Sequence, residues 1–270
     1  MKISNYTKRF LLFMLCLSLL LSHSMISPAQ AADCQKAYHW YVKRNHTHAQ
    51  PTVDSAQADL EKYDAYYVDK KCGEGDNGKV IYLTFDVGYE NGNVAKILDT
   101  LRDENVPAAF FILKNVILKE RSLLERMVSE GHLVCNHTMS HRDMSRLSDA
   151  EFAAELNGLV DLYREQTGKE MAPYYRPPEG TYSKSNLMQA QKMGYKTIFW
   201  SFAYADWDND KQPSEEAAKK KIRENMHPGA VLLLHPTSAT NAAILGELIR
   251  EWKAEGYRFG TLEELVAART

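Results

Sequence analysis

The chain of 270 residues carries 35 acidic and 33 basic side chains, a formal net charge of −2. So even a balance provides no global basic field, which excludes nucleic acid as the partner on electrostatic grounds. The length suits one α/β barrel better than two small domains.

The chain opens with an export signature. Lys2, Lys8 and Arg9 form a basic head, residues 10–21 are apolar apart from Ser18, and Ala29-Gln30-Ala31 has the small-x-small form that signal peptidase cuts. The apolar run is too short to span a bilayer comfortably, since a spanning helix takes roughly 20 apolar residues, so an uncleaved membrane anchor is the lesser alternative. Cys16 lies inside it without small residues before it, which does not fit a lipoprotein. Residues 1–31 therefore read as a cleaved signal peptide of an exported protein.

Residues 32–78 read as an N-terminal arm. Tyr38, Trp40, Tyr41, Tyr63, Tyr66 and Tyr67 are spread through polar sequence, as expected of a segment that wraps a domain. Asn45-His46-Thr47-His48 has the look of a metal-binding tract, but two histidines in an unanchored loop read better as solvated. The glycine-rich stretch 73–78 is a hinge-like break before the main domain. After cleavage the cysteines are Cys34, Cys72 and Cys135; an oxidising compartment permits a Cys34–Cys72 bridge and leaves Cys135 buried in a strand.

From residue 79 to 270 apolar strand-like runs alternate with amphipathic stretches. The strands are expected at 80–85, 108–113, 133–136, 174–176, 196–202, 230–234 and 257–260. Helices are expected at 94–104, 121–130, 149–166, 185–193, 215–225 and 242–255. Leu124, Met127 and Val128 recur at helical spacing, as do Ile244, Leu248 and Trp252. Such alternation implies parallel strands joined by crossover helices, and seven strands point to a closed or nearly closed α/β barrel, or failing that an open doubly wound sheet.

Polar residues then fall where a barrel builds sites. Asp86 follows the first strand, His137 the third, Arg176 ends the fourth, Asp206 follows the fifth and His235 ends the sixth. These carboxyl ends meet on one face of a parallel barrel. Taken alone, a strand-end Asp is usually a turn residue or cap, and a lone Arg a surface ion pair; the joint pattern carries the weight. A carboxylate base, paired imidazoles, an arginine, a second carboxylate and a third imidazole suit hydrolysis of an amide or ester on a metal.

Five motifs carry a family resemblance over about residues 79–266. They are Thr84-Phe85-Asp86-Val87-Gly88, Asn136-His137-Thr138-Met139-Ser140-His141, Arg176-Pro177-Pro178-Glu179-Gly180, Asp206-Trp207 and Leu233-Leu234-His235. The chain resembles the polysaccharide deacetylase family, whose domain is shared with the nodulation-factor chitooligosaccharide deacetylase, and the resemblance implies a distorted parallel (β/α)7-type barrel. Gly88-Tyr89-Glu90-Asn91-Gly92, Phe199-Trp200-Ser201 and Glu61-Lys62-Tyr63-Asp64-Ala65 resemble the δ-lactam-biosynthetic branch, which acts on N-acetylmuramic acid in the cortex peptidoglycan of spores.

The resemblance implies roles residue by residue. Asp86 is the general base, held ionised by Arg176. His235 is the general acid, oriented by Asp206. His137 and His141, four apart and so expected on one helical turn, are ligands of a divalent metal such as zinc. The Glu179 N–H faces the oxyanion, and Tyr89, Trp207 and Pro177 form the substrate surface, the substrate being glycan strands of peptidoglycan. Asp143 is expected to cap the turn after His141.

One position departs from the family pattern. A second aspartate normally follows the base and completes a His-His-Asp metal site, and here that position is Val87, which has no donor atom. Glu90 is a candidate surrogate, read more readily as a substrate or structural contact. Two other functions therefore stay open: a relative that binds cell-wall glycan without cleaving it, and a deacetylase of N-acetylglucosamine polymers.

Overall fold

The computed structural model describes residues 34–73 and 78–267; the expected signal peptide lies outside the described residues. Residues 37–270 form one unit. In chain order its strands are β1 Tyr38–His39, β2 Ala65–Tyr66, β3 Lys79–Val87, β4 Ala109–Ile112, β5 Leu133–Asn136, β6 Ala172–Tyr175, β7 Thr181–Tyr182, β8 Lys196–Ile198, β9 Ala230–Leu234 and β10 Tyr257–Phe259. Its helices are α1 Asn93–Asp103, α2 Lys114–Lys119, α3 Arg121–Ser129, α4 Asp149–Thr167, α5 Lys184–Lys192, α6 Glu215–Asn225, α7 Ala239–Ala254 and α8 Leu262–Ala267.

The main sheet runs β10-β3-β4-β5-β6-β8-β2, with β9 also paired to β3. Every strand pair in it is parallel. The sheet curls until Phe202, just past β8, bridges Leu232 of β9 in parallel. That bridge makes the expected distorted barrel. At the opposite end β8 and β9 splay apart, and the arm fills the gap: β2 pairs with β8, Val68 pairs with Ala230, and the Asp69 N–H donates to Gly229 O at 2.9 Å.

Side-chain alternation along β3 explains both the core and the site. Ile81, Leu83 and Phe85 face the helices with Leu98, Phe110 and Leu248. Val80 and Tyr82 face inward with Phe111, Cys135, Ile198 and Val231. A period of two places Thr84 and then Asp86 on the same inward row, so the row that fills the barrel ends in the proposed base. The longest helix is specified locally: Ser148 and Glu151 form a reciprocal capping box, and Gly168, at φ 69°, closes α4 in the left-handed conformation.

The structure departs from the sequence reading in a few places. The run 196–202 is strand only through Ile198, because Phe199, Trp200 and Ser201 peel away to meet the arm and β9. Helices α2 and α8 and the short strands β1, β2 and β7 carry too little periodicity to announce themselves. Cys34, Cys72 and Cys135 are all free thiols, so the Cys34–Cys72 bridge is not formed. The Cys72 thiol is buried and donates to Asp69 Oδ2 at 3.4 Å. Burial, reinforced by the Asp69 charge, pushes it up to about 11, which suppresses the thiolate that disulfide chemistry requires.

Asp69 anchors the arm at the base of the barrel, accepting also from Tyr82 Oη at 2.7 Å and Lys71 N at 3.0 Å. Asp69→Ala strands the buried Tyr82 hydroxyl, and is expected to lower unfolding free energy by about 1–3 kcal/mol. Urea denaturation of the purified protein measures this; an unchanged midpoint would mean that the anchor contributes nothing.

Candidate active site

The carboxyl ends of the strands surround a cavity of about 680 Å³, lined by Asp86, Val87, His137, His141, Glu179 and His235 among others. That volume is in the range of small-molecule sites. Each polar residue arrives by a different local device.

Asp86 is held from one side by Arg176, whose Nη1 donates to Oδ1 at 2.8 Å. Arg176 has no exposed surface. Its Nε donates to Ile198 O at 2.9 Å, and its Nη2 to Thr84 Oγ1 at 2.8 Å and Phe199 O at 3.3 Å. The guanidinium plane lies over Phe111, 4.2 Å from the ring centroid. Burial by itself would raise the Asp86 pKa, but the Arg176 charge, with His137, His235 and the hydrogen bond, outweighs it and holds the carboxyl below its ordinary value. The group is therefore an ionised base in a dry site.

His235 sits across the cavity. Its Nδ1 bonds Asp206 Oδ1 at 2.7 Å, and its backbone N–H donates to Asp206 Oδ2 at 2.8 Å. Asp206 is fully buried and also accepts from Asn241 Nδ2 at 2.7 Å. Asn241 in turn accepts from Tyr204 Oη. Burial opposes the imidazolium charge, yet the Asp206 hydrogen bond and charge, with Asp86 beyond, raise the His235 pKa above its ordinary value. With Nδ1 committed to Asp206, the proton on Nε2 is the one free to transfer.

His137 and His141 come together without the helical turn their spacing suggests. Thr138 and His141 have φ of 75° and 57°, incompatible with a right-handed helix. The loop is stitched instead by side chains: Asn136 Oδ1 accepts from Thr138 N at 2.9 Å, Thr138 Oγ1 from His141 N at 3.0 Å, and Glu155 of α4 from Ser140 N at 2.9 Å. Local bonds of this kind compete with helix formation. The two rings still stand 5.1 Å apart at 76°. His137 Nδ1 bonds Arg176 O at 2.9 Å, which turns Nε2 toward Asp86 Oδ2, 3.5 Å away. Burial pushes His137 down to about 4, so at neutral pH Nε2 carries a lone pair rather than a proton.

A pair of imidazoles is suited to a divalent ion, but a three-donor site is not completed. Val87 ends β3 packed into the outer core while lining the cavity. Glu90 does not take its place: its Oε1 accepts from Gly92 N at the start of α1, and it is not among the cavity residues. Among the described residues no group of three or more His, Cys, Asp or Glu is arranged to hold a metal.

Glu179 adopts φ 55°, ψ 9° in the turn after the two prolines, a left-handed conformation that costs a side-chain-bearing residue about 1–2 kcal/mol. Tyr89 and Trp207 line the cavity and are 48% and 61% exposed. Pro177 is buried and does not line it; its carbonyl accepts from Gly180 N at 3.0 Å. Asp143 caps the turn after His141 through Ser145 N at 3.1 Å. Trp200, Tyr204, Leu113 and Thr237 also line the cavity, and Asn241 supports Asp206. Nothing in their local sequence marks Leu113, Thr237 or Asn241, which reach the site through tertiary packing alone. In the arm, His48 Nδ1 bonds Met226 O at 3.0 Å, away from the cavity.

Comparison with known proteins places the chain in a family. A family described as polysaccharide deacetylase matches residues 73–198. The peptidoglycan-N-acetylmuramic acid deacetylase PdaA of Bacillus subtilis is 36% identical over 228 residues, covering 84% of this chain and 85% of PdaA. Its solved structure, described as a family 4 carbohydrate esterase, matches at TM-score 0.82 and 34% identity, covering 87% of this chain and 99% of that one. An uncharacterized 30.6 kDa protein of Geobacillus stearothermophilus is 41% identical over 92% of both chains. The structure of a family 4 carbohydrate esterase from Bacillus anthracis matches at TM-score 0.71 and 33% identity, over 87% of this chain and 98% of that one.

The donor set gives a prediction about metal. With two imidazoles, zinc is expected to bind weakly and to be lost on dialysis, whereas catalytic zinc sites usually have three protein ligands. Val87→Asp supplies a third donor and is expected to tighten zinc by at least about tenfold, within the range that changes in a metal's ligand environment produce; His137→Ala is expected to abolish binding. Isothermal calorimetry of the three proteins checks this, and tight wild-type binding that survives His137→Ala would refute the site.

Proposed function

Because the chain belongs to the polysaccharide deacetylase family, we propose that it is an exported peptidoglycan deacetylase that hydrolyses the N-acetyl amide of N-acetylmuramic acid. The observation that carries this reading is the pairing of two opposed groups across one cavity, Asp86 held ionised by Arg176 and His235 with its pKa raised by Asp206. The likeness to PdaA over most of both chains, arm included, supports the muramic substrate.

The chemistry follows from the charges. Asp86 takes a proton from water as the water attacks the acetyl carbonyl carbon. The Glu179 N–H meets the oxyanion that develops on the carbonyl oxygen. His235 Nε2 then gives its proton to the amide nitrogen as the C–N bond breaks, leaving acetate and a free amine. A divalent ion, when held by His137 and His141, would add positive charge beside the carbonyl oxygen. On a muramic residue already freed of its stem peptide, the new amine attacks its own lactyl carboxyl and expels water, closing a δ-lactam. Holding the two groups close is enough to favour that ring. The spore cortex is the matching location.

Val87 favours a second reading, a protein that binds cell-wall glycan without cleaving it. Its retained acid–base pair argues the other way, since a binder needs neither group. Mass spectrometry of peptide-stripped peptidoglycan after incubation with the protein separates the alternatives. Loss of acetyl from muramic acid supports the proposal, loss from N-acetylglucosamine transfers the activity to the other sugar, and no loss leaves a binder.

Asp86→Asn and His235→Ala are each expected to lower acetate release by about 10²–10⁴-fold, with circular dichroism unchanged. The pH profile carries the sign of the His235 shift. Activity needs protonated His235 and ionised Asp86, so it falls as pH rises through the raised His235 pKa, above the ordinary value of about 6.5. Asp206→Asn removes the group that raises it and is expected to move that limb to lower pH. Near-wild-type activity in either of the first two variants, or an unmoved limb in the third, would overturn the assignment.

Export is checked separately. The secreted protein is expected to begin at Ala32, and Ala31→Asp to block processing. N-terminal sequencing that finds residues 1–31 on the mature protein would make it membrane-anchored.

A further inference from the structure

The aromatic arm is not absorbed by the acid–base chemistry, and it lies mostly before the matched segment 73–198, yet it reaches the back of the cavity. Strand β1 pairs antiparallel with β7, Tyr38 opposite Tyr182 and His39 opposite Thr181. His39 Nδ1 adds a 3.0 Å bond to Thr181 Oγ1. This pairing seizes the chain immediately after the Glu179 turn.

Trp40, only 5% exposed, is the contact where the arm meets the site. Its backbone N–H donates to Gly180 O at 2.9 Å, and its indole Nε1 donates to Trp200 O at 2.8 Å. Its ring stacks on Phe199 at 4.6 Å and 26°. Gly180, at φ 66°, is pinched in between: a Cβ there would stand 2.8 Å from Trp40 Cβ and 2.7 Å from the Trp200 ring.

Each of these partners bears on the reaction centre. Gly180 follows Glu179, whose left-handed conformation persists only where its surroundings over-determine it. Trp200 walls the cavity. Phe199 O accepts from the Arg176 guanidinium that holds Asp86.

We propose that Trp40 is a positioning residue for the deacetylase reaction: from outside the cavity it fixes the Glu179 turn, the Trp200 wall and, through Phe199, the clamp on Asp86. The kinetic consequence rests on the deacetylase reading above; the structural consequence does not. Because the Glu179 N–H meets charge that exists only in the transition state, its misplacement lowers kcat more than it raises KM.

The experiment compares full-length wild type, Trp40→Phe, Trp40→Ala and Gln50→Ala. Trp40→Phe keeps the ring and removes the indole N–H. Gln50 ties the arm at the other end of the barrel, to Asp69 O at 2.6 Å and Pro228 O at 3.0 Å, and so reports on loosening of the arm alone. Two readouts are taken: kcat and KM for acetate release from peptide-stripped peptidoglycan, and hydrogen exchange of the amides at 179–182.

In Trp40→Ala, kcat is expected to fall about 10²-fold, the scale of a 1 Å misplacement, with KM within about threefold and exchange at 179–182 accelerated. Trp40→Phe is expected to lie between that and wild type. Gln50→Ala is expected to keep wild-type kcat and exchange at 179–182 even where it melts earlier. Wild-type kcat and exchange in both Trp40 variants would overturn the proposal, as would an equal loss in Gln50→Ala. If wild type releases no acetate, the deacetylase reading fails, and exchange decides the positioning role: acceleration confined to 179–182 supports it and none refutes it. If Trp40→Ala does not fold, Trp40→Phe decides on the same two readouts.

Discussion

The ion pair between Arg176 and Asp86 is the constraint on which the rest of the site depends. A carboxylate at the end of the inward row of β3 has lost its water, and without a partner it would take up a proton and cease to be a base. Arg176 prevents that, but a fully buried guanidinium brings its own demand for acceptors. Ile198 O, Phe199 O, Thr84 Oγ1 and Asp86 Oδ1 meet it, and the ring of Phe111 covers its face. Truncating one member of such a pair strands the other charge in a low-dielectric interior, a loss of several kcal/mol. The geometry of β3, β6 and the 198–200 segment is thus set by one charge and its satisfaction.

That demand also explains why strand character stops at Ile198. Two carbonyls of the 198–199 segment turn to the guanidinium, and Phe199 and Trp200 turn to the arm. The barrel gives up regular pairing there and recovers it through Phe202 and Leu232, while β2 and Val68 patch the opening from the other end. The arm therefore completes the wall of the barrel as well as backing the Glu179 turn.

On the other side of the cavity the logic is the reverse. The His235 pKa is raised by a buried carboxylate, Asp206, and Asp206 is held in turn by the His235 backbone and Asn241. The proposed base and acid are thus tuned in opposite directions by partners of opposite sign, a few residues from the ends of different strands. Beside them His137 stays neutral because it is buried and its Nδ1 is spent on a carbonyl. Val87 leaves the pair of His137 and His141 without the negative third ligand that would offset a dication's charge.

Much of this was legible in the chain itself. Alternating strand and helix patterns gave the parallel barrel, because hydrophobic periodicity is local. The placement of Asp86, His137, Arg176, Asp206 and His235 at strand ends gave the face on which a site would form. The Asp143 cap was equally local. What local pattern misses is anything decided between distant segments: the His137–His141 loop is not helical because Asn136, Thr138 and Glu155 bond its backbone, Pro177 is buried although it adjoins the cavity turn, and Cys72 is satisfied by Asp69 rather than by another cysteine. The sequence by itself determined which chemical groups are present and on which face of the barrel they gather. Only the tertiary structure decided their protonation and aim, because those depend on burial and on partners such as Ile198 O, Asn241 and Trp40, contributed by segments that no short-range pattern connects.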